Sequence, residues 1–105
     1  MNKTTEFAKN AIENIKAKNI ITIQIKDAEY IADEMLICTG TSSSHVKAIA
    51  KNVVLESKKK KIKILGVEGE QQGEWVLIDF GDTIIHIMLE KTREFYDLEK
   101  LWESI

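Results

Sequence analysis

The 105-residue chain has no proline, one cysteine and five glycines, and no apolar run approaching the roughly 18 residues that a membrane-spanning helix needs. Each shortage excludes something. Without proline, a low-complexity tract or an internal repeat there is no signal for a linker, so residues 1–105 read as one domain. A lone cysteine cannot close an internal disulfide. Cys38 also lies in the apolar run Met35-Leu-Ile-Cys38, which reads as a buried strand, so a reducing compartment is expected. The opening Met-Asn-Lys-Thr-Thr-Glu-Phe lacks the apolar stretch of a secretory signal, and a cytoplasmic location is the expectation. A formal charge of -2 gives no global attraction to nucleic acid or to an anionic membrane. The 44% hydrophobic and 30% charged residues suit a soluble globular domain, which at this size buries roughly 65% of its unfolded surface.

Catalytic patterns are also scarce. The two histidines, His45 and His86, are far apart, and the only cysteine sits on a presumed inner strand, so neither a metal signature nor a Cys-His nucleophile is formed. Asp79-Phe-Gly81 spells the metal-binding triplet of protein kinases, but no Gly-rich loop, strand lysine or catalytic-loop aspartate precedes it. Gly40-Thr-Ser-Ser-Ser44 stands before a helix pattern yet lacks a P-loop lysine, and a helix cap is the plainer reading. Asp79 and Asp82 belong to a strand and a turn, and their spacing does not direct both carboxylates at one ion. The lysines at 58 to 61 suit a solvated helix end, where cations meet the negative end of the dipole. No aromatic residues interleave with them, so specific nucleic-acid readout is not supported.

What is present is a close succession of periodic segments. Residues 4 to 18 set Phe7, Ala8, Ala11, Ile12 and Ile15 at helical spacing. Ile20 to Ile25 reads as a strand, Lys26 to Ala32 as a polar connection, and Glu34 to Thr39 as a second strand. Val46, Ile49, Ala50, Val53 and Val54 give the best helix pattern, with Thr41 to Ser44 offering caps. Lys63 to Val67 reads as a third strand, followed by a polar loop to Glu74. A last helix from about Thr92 carries Phe95, Leu98, Leu101, Trp102 and Ile105 on one side. The strand-helix-strand unit over 34 to 67 implies a parallel crossover, so the fold class is α/β (mixed α+β): a five-stranded mixed sheet with helices packed on it.

The most telling segment is the hairpin Trp75–Phe80 and Thr83–Leu89 around Gly81-Asp82. A two-residue loop pairs Asp79 with Ile84, Ile78 with Ile85, Leu77 with His86, Val76 with Ile87 and Trp75 with Met88. Alternation then sorts the side chains. Val76, Ile78, Phe80, Ile85 and Ile87, with Leu89, make an apolar core face. Trp75, Leu77, Asp79, Ile84, His86 and Met88 make a mixed face, whose composition implies that it is either covered by polar-tolerant structure or touches something else. Arg93 and Tyr96, three apart and off the apolar stripe, are expected to share an exposed helix face. Trp, Tyr, Arg and Met are types that protein interfaces favour.

The chain closely resembles the ribosomal silencing factor family, RsfS, also called Iojap-like. The likeness rests on Leu65-Gly-Val-Glu-Gly69, Glu74-Trp-Val-Leu-Ile-Asp-Phe-Gly-Asp82, Ile85-His-Ile-Met88, Arg93-Glu-Phe-Tyr-Asp-Leu-Glu99 and Leu101-Trp102. Asp33, Ile37-Cys-Thr-Gly-Thr-Ser42 and His45-Val46 extend it to nearly the whole chain. The resemblance implies a translation repressor that is not an enzyme and needs no cofactor or metal. It further implies binding to the large ribosomal subunit through ribosomal protein fourteen of that subunit, where the small subunit docks, so that joining is blocked sterically. The implied fold is similar to that of nucleotidyltransferases, whose Gly-Ser plus Asp-x-Asp pattern is missing here. On this reading Trp75 is the anchor, Asp79, Asp82 and Glu99 meet basic groups, and His86, Met88, Arg93 and Tyr96 extend the patch. Nucleotide binding or nucleotidyl transfer is the alternative, and a homodimer pairing its mixed faces when free is a third reading.

Overall fold

The computed structural model describes residues 1–25 and 32–103. The polar connection expected over 26–32 lies outside them except for the buried Ala32, as does Ile105. Helix α1 (Lys3–Asn14) starts where Asn2 Oδ1 accepts the Thr5 N–H at 2.7 Å, and it buries Ala8, Ala11 and Ile12. It ends four residues before the expected limit, because Lys16 turns into the left-handed region at φ 61°. Strand β1 (Lys18–Gln24) follows directly, with a register shift between Lys18 and Ile21 where Asn19 also takes a positive φ. Strand β2 (Glu34–Gly40) is buried throughout. Helix α2 (Ser43–Lys59) begins at Ser42, whose hydroxyl accepts the His45 N–H at 3.1 Å.

Strand β3 spans only Gly66–Glu68, so the expected strand from Lys63 is shorter; before it, Leu65 is exposed although its N–H reaches the Asp79 carbonyl at 2.7 Å. Strands β4 (Trp75–Asp79) and β5 (Thr83–Leu89) form the hairpin in the expected register, Trp75 opposite Met88 through Asp79 opposite Ile84. At the loop, Phe80 N–H bonds the Thr83 carbonyl and Gly81 alone takes a positive φ, 95°, as a type II′ turn requires of its first position.

The C-terminal helix is two pieces, α3 (Glu90–Tyr96) and α4 (Leu98–Glu103), broken at Asp97 with φ 49°. This corrects the single apolar side expected of it. Leu98 and Trp102 pack inward, whereas Phe95 is 80% exposed and Leu101 55%. One left-handed residue reorients the second piece, so helical spacing no longer carries the stripe across it.

The sheet order is β1-β2-β5-β4-β3, with β2 and β5 parallel and the other pairs antiparallel. The crossover through α2 therefore does not join neighbours; it carries the chain past β5 and β4 to the far edge. One sheet face packs Leu36, Cys38, Val76, Ile78, Ile85 and Ile87 against α1 and α2. The other packs Ile23, Ile25, Met35, Ile37 and Met88 beneath Trp75, Leu98 and Trp102. Covered on both sides, the inner strand β2 can be apolar at nearly every position. At its end, Gly40 lets α2 approach closely, since a Cβ there would stand 2.6 Å from Val46 Cγ2.

Candidate functional site

Trp75 and His86 sit diagonally across the β4–β5 ladder on the mixed face, a spacing that large side chains can bridge. The Trp75 indole N–H donates to His86 Nδ1 at 2.9 Å, with the rings 5.8 Å apart. That bond places the imidazole proton on Nε2. Only 5% exposed, His86 has its pKa pushed down to about 4 by burial, so the ring is neutral. On its other side Trp75 meets Tyr96 at 4.8 Å, and Tyr96 meets Phe95 edge-on at 5.0 Å. Tyr96 is 52% exposed, so the aromatic series runs from a buried imidazole to a solvent-facing phenyl.

Several expectations about this patch need correction. Met88 is fully buried and His86 nearly so, because α3, α4 and Trp75 cover that part of the mixed face; they support the patch and do not extend its surface. Arg93 does not share an exposed face with Tyr96. Its side chain is 10% exposed, with Nε donating to Glu99 Oε1 at 2.8 Å and Nη1 to the Asn19 carbonyl and Thr39 Oγ1 at 2.7 and 2.8 Å. Glu99, its side chain 30% exposed, is thus already paired with an internal cation. The guanidinium ties α3 to β1, β2 and α4.

The two aspartates lie at the opposite end of the hairpin, Asp79 about 13 Å along β4 from Trp75 at the usual strand rise. Asp79 Oδ1 accepts the Gly81 N–H at 2.8 Å, and Asp82 Oδ2 accepts from the Thr4 hydroxyl at 3.2 Å. Between them and Trp75, Leu77 and Ile84 are partly exposed. Phe95 is the surface residue that sequence reasoning missed. Its helical spacing put it with the core, but α3 leaves it exposed, and the break at Asp97 lets Leu98 and Trp102 turn inward without it.

Elsewhere the reactive side chains are quiet. Cys38 is buried, and burial pushes its thiol up to about 12 against the opposing pull of Arg93. His45 accepts the Thr41 N–H at Nδ1, 2.9 Å, and its Nε2–H donates to the Ile15 carbonyl at 2.7 Å, which is a structural brace. Among the described residues no His, Cys, Asp or Glu cluster is arranged to hold a metal ion. A cleft of about 700 Å³ opens at the carboxyl ends of β2 and β5, lined by Thr39, Thr41, Ser43, Glu74, Lys18 and Lys91 among others. No helix among the described residues is long and apolar enough to cross a membrane.

This arrangement is a mixed α/β domain, with an aromatic patch braced by a two-faced sheet. Residues 1–105 match the family described as "Ribosomal silencing factor during starvation". The ribosomal silencing factor RsfS of Haemophilus influenzae is 40% identical over 97 residues, covering 92% of this chain and 95% of that one. A mouse protein, "Mitochondrial assembly of ribosomal large subunit protein 1", is 37% identical over 89 residues, covering 82% of this chain and 39% of that one. A crystal structure of a Chromobacterium violaceum protein superposes with a TM-score of 0.92 at 38% identity, covering 98% of this chain and 88% of the other. The chain belongs to the ribosomal silencing factor (RsfS) family, and its role is ribosome-associated silencing.

Proposed function

We propose that the chain represses translation by docking on the large ribosomal subunit, through its ribosomal protein fourteen, and blocking the small subunit sterically. It would act where ribosomes are, in the cytoplasm. The observation that carries this reading is the solvent-facing pair Phe95 and Tyr96 braced by Trp75, beside the partly exposed Leu77 and Ile84. An aromatic centre with a polar rim is the anatomy of a binding hot spot. Asp79 and Asp82 at the far end of the hairpin, and the exposed Glu90 and Glu94 on α3, supply carboxylates suited to a basic ribosomal protein. The name of the mouse relative, with its large-subunit assembly, points the same way.

The test is co-sedimentation with purified large subunits, followed by a gradient assay of subunit joining. Phe95→Ala with Tyr96→Ala removes exposed side chains and should leave the fold intact. Trp75→Ala removes their brace. Each change should weaken large-subunit binding by about 30-fold or more, the worth of a central aromatic anchor of about 2 kcal/mol. Unimpaired co-sedimentation of both variants would sink the assignment of this patch.

A second reading, nucleotide binding, is motivated by the cleft at the strand ends, where open α/β sheets often take ligands. Magnesium nucleotides titrated calorimetrically into the protein would give heat if it holds, and a flat titration would remove it.

A further inference from the structure

Charge along the chain is strongly segregated. Residues 43 to 63 carry seven lysines against one glutamate, a net +6, while residues 64 to 105 carry three cations against ten carboxylates, a net -7. The near-neutral total hides two oppositely charged regions. All seven lysines are exposed, and the one carboxylate among them, Glu56, pairs with Lys59 at 3.2 Å.

Geometry organises the positive region. At 100° per residue, Lys47, Lys51, Val54 and Lys58 fall within an arc of about 60° on α2. At 1.5 Å per residue the three lysines extend over about 16 Å. Lys47 and Lys51 border a groove of about 420 Å³ between α2 and the edge strand β3, floored by Ala50, Val54 and Val67, with Glu70 the carboxylate on its rim. The aromatic patch belongs to the other face of the sheet, so both surfaces can be used at once.

We infer that the α2 lysine stripe is a sequence-independent contact for the phosphodiester backbone of RNA, made while the aromatic patch holds a protein partner. Lysine is depleted at protein interface cores, yet it is a regular phosphate ligand. A stripe of about 16 Å is long enough to follow several consecutive phosphates of one strand. A membrane is the poorer fit. An interfacial helix sinks its apolar face into the bilayer, and the apolar face of α2, Val46, Ile49, Ala50 and Val53, is buried in the core. The inference rests on the proposed ribosomal seat, because a ribosomal particle is the surface that presents RNA phosphate beside protein.

The experiment is fluorescence anisotropy of a labelled oligouridylate with the full chain. Three phosphate contacts give a log–log salt slope near -2, so raising salt from about 50 to about 200 mM should weaken binding about 20-fold. The combined variant Lys47→Glu, Lys51→Glu, Lys58→Glu should lose at least about tenfold in affinity at low salt with unchanged circular dichroism, while the matching arginine variant retains binding. Absence of binding at low salt, salt-independent binding, or unchanged affinity of the charge-reversed variant would overturn the inference. So would binding to phosphatidylglycerol vesicles without binding to oligouridylate. The assay contains no ribosome, so the two proposals fail separately. Loss of large-subunit binding in the aromatic variants, with no oligouridylate binding by the unaltered chain, overturns the RNA contact alone. Oligouridylate binding by a chain that never co-sediments with large subunits overturns the docking reading alone.

Discussion

Replacing His86 by glutamine is expected to remove part of the protein's sensitivity to acid. In the folded chain the imidazole accepts the Trp75 indole N–H at 2.9 Å and is 5% exposed, so protonation would charge a buried ring and place two donors face to face. Its pKa is lowered from 6.5 to about 4. The neutral form is therefore the one that folding favours. Above about pH 6.5 the His86 contribution is fully present; as pH falls toward 4 the unfolded chain takes up a proton that the folded chain refuses, and the contribution is lost. At about pH 5 the unfolded ring lies about 1.5 units below its pKa, a loss of about 2 kcal/mol at 1.36 kcal/mol per unit. Glutamine stays neutral and can still offer an acceptor to the indole. Urea unfolding followed by circular dichroism near pH 7 and near pH 5 should show the unaltered protein losing about 2 kcal/mol more between the two than His86→Gln does. Every other titrating group is common to both proteins, so the difference isolates this ring. Equal losses would refute the reasoning.

Gly40→Ala should lower stability by about 1 to 3 kcal/mol, seen as a lower melting temperature, because the new Cβ meets Val46 Cγ2 at 2.6 Å and the Val46 backbone at about 3 Å. Arg93→Met should free α3 and α4 from β1 and β2, so amide exchange over 90–103 should quicken while the β2 and β5 amides keep their protection. Ile85→Ala, at a fully buried central position, should cost about 2 to 5 kcal/mol in urea unfolding, with large-subunit binding by the folded fraction unaffected.

The sequence made the hairpin readable down to its register, because a two-residue turn and strict alternation are local signals. The same logic separated the core face from the mixed face, and the core face packs as expected. The shape of the mixed face was not legible. Periodicity could not show that the chain after Leu89 folds back over His86 and Met88, since that depends on tertiary packing. Nor could it show the break at Asp97. Aspartate tolerates left-handed backbone more readily than most residues, but nothing in the spacing of Phe95, Leu98, Leu101 and Trp102 demands it there. Arg93 illustrates the remaining gap. Its three acceptors come from residues 19, 39 and 99, so its burial is visible only once β1, β2 and α4 are in place.

The sheet order has a consequence for synthesis. The central strand, β5, follows the sheet's other four strands in the chain, and both β2 and β4 take it as a neighbour. Without β5 the sheet's ladders reduce to two separate antiparallel pairs, β1 with β2 and β3 with β4. Closure then depends on contacts between residues far apart in sequence, such as Glu34 with Thr83 and Gly40 with Leu89. The patch joins Trp75 on β4 to Phe95 and Tyr96 just beyond β5, so it comes together only after this central strand has been made.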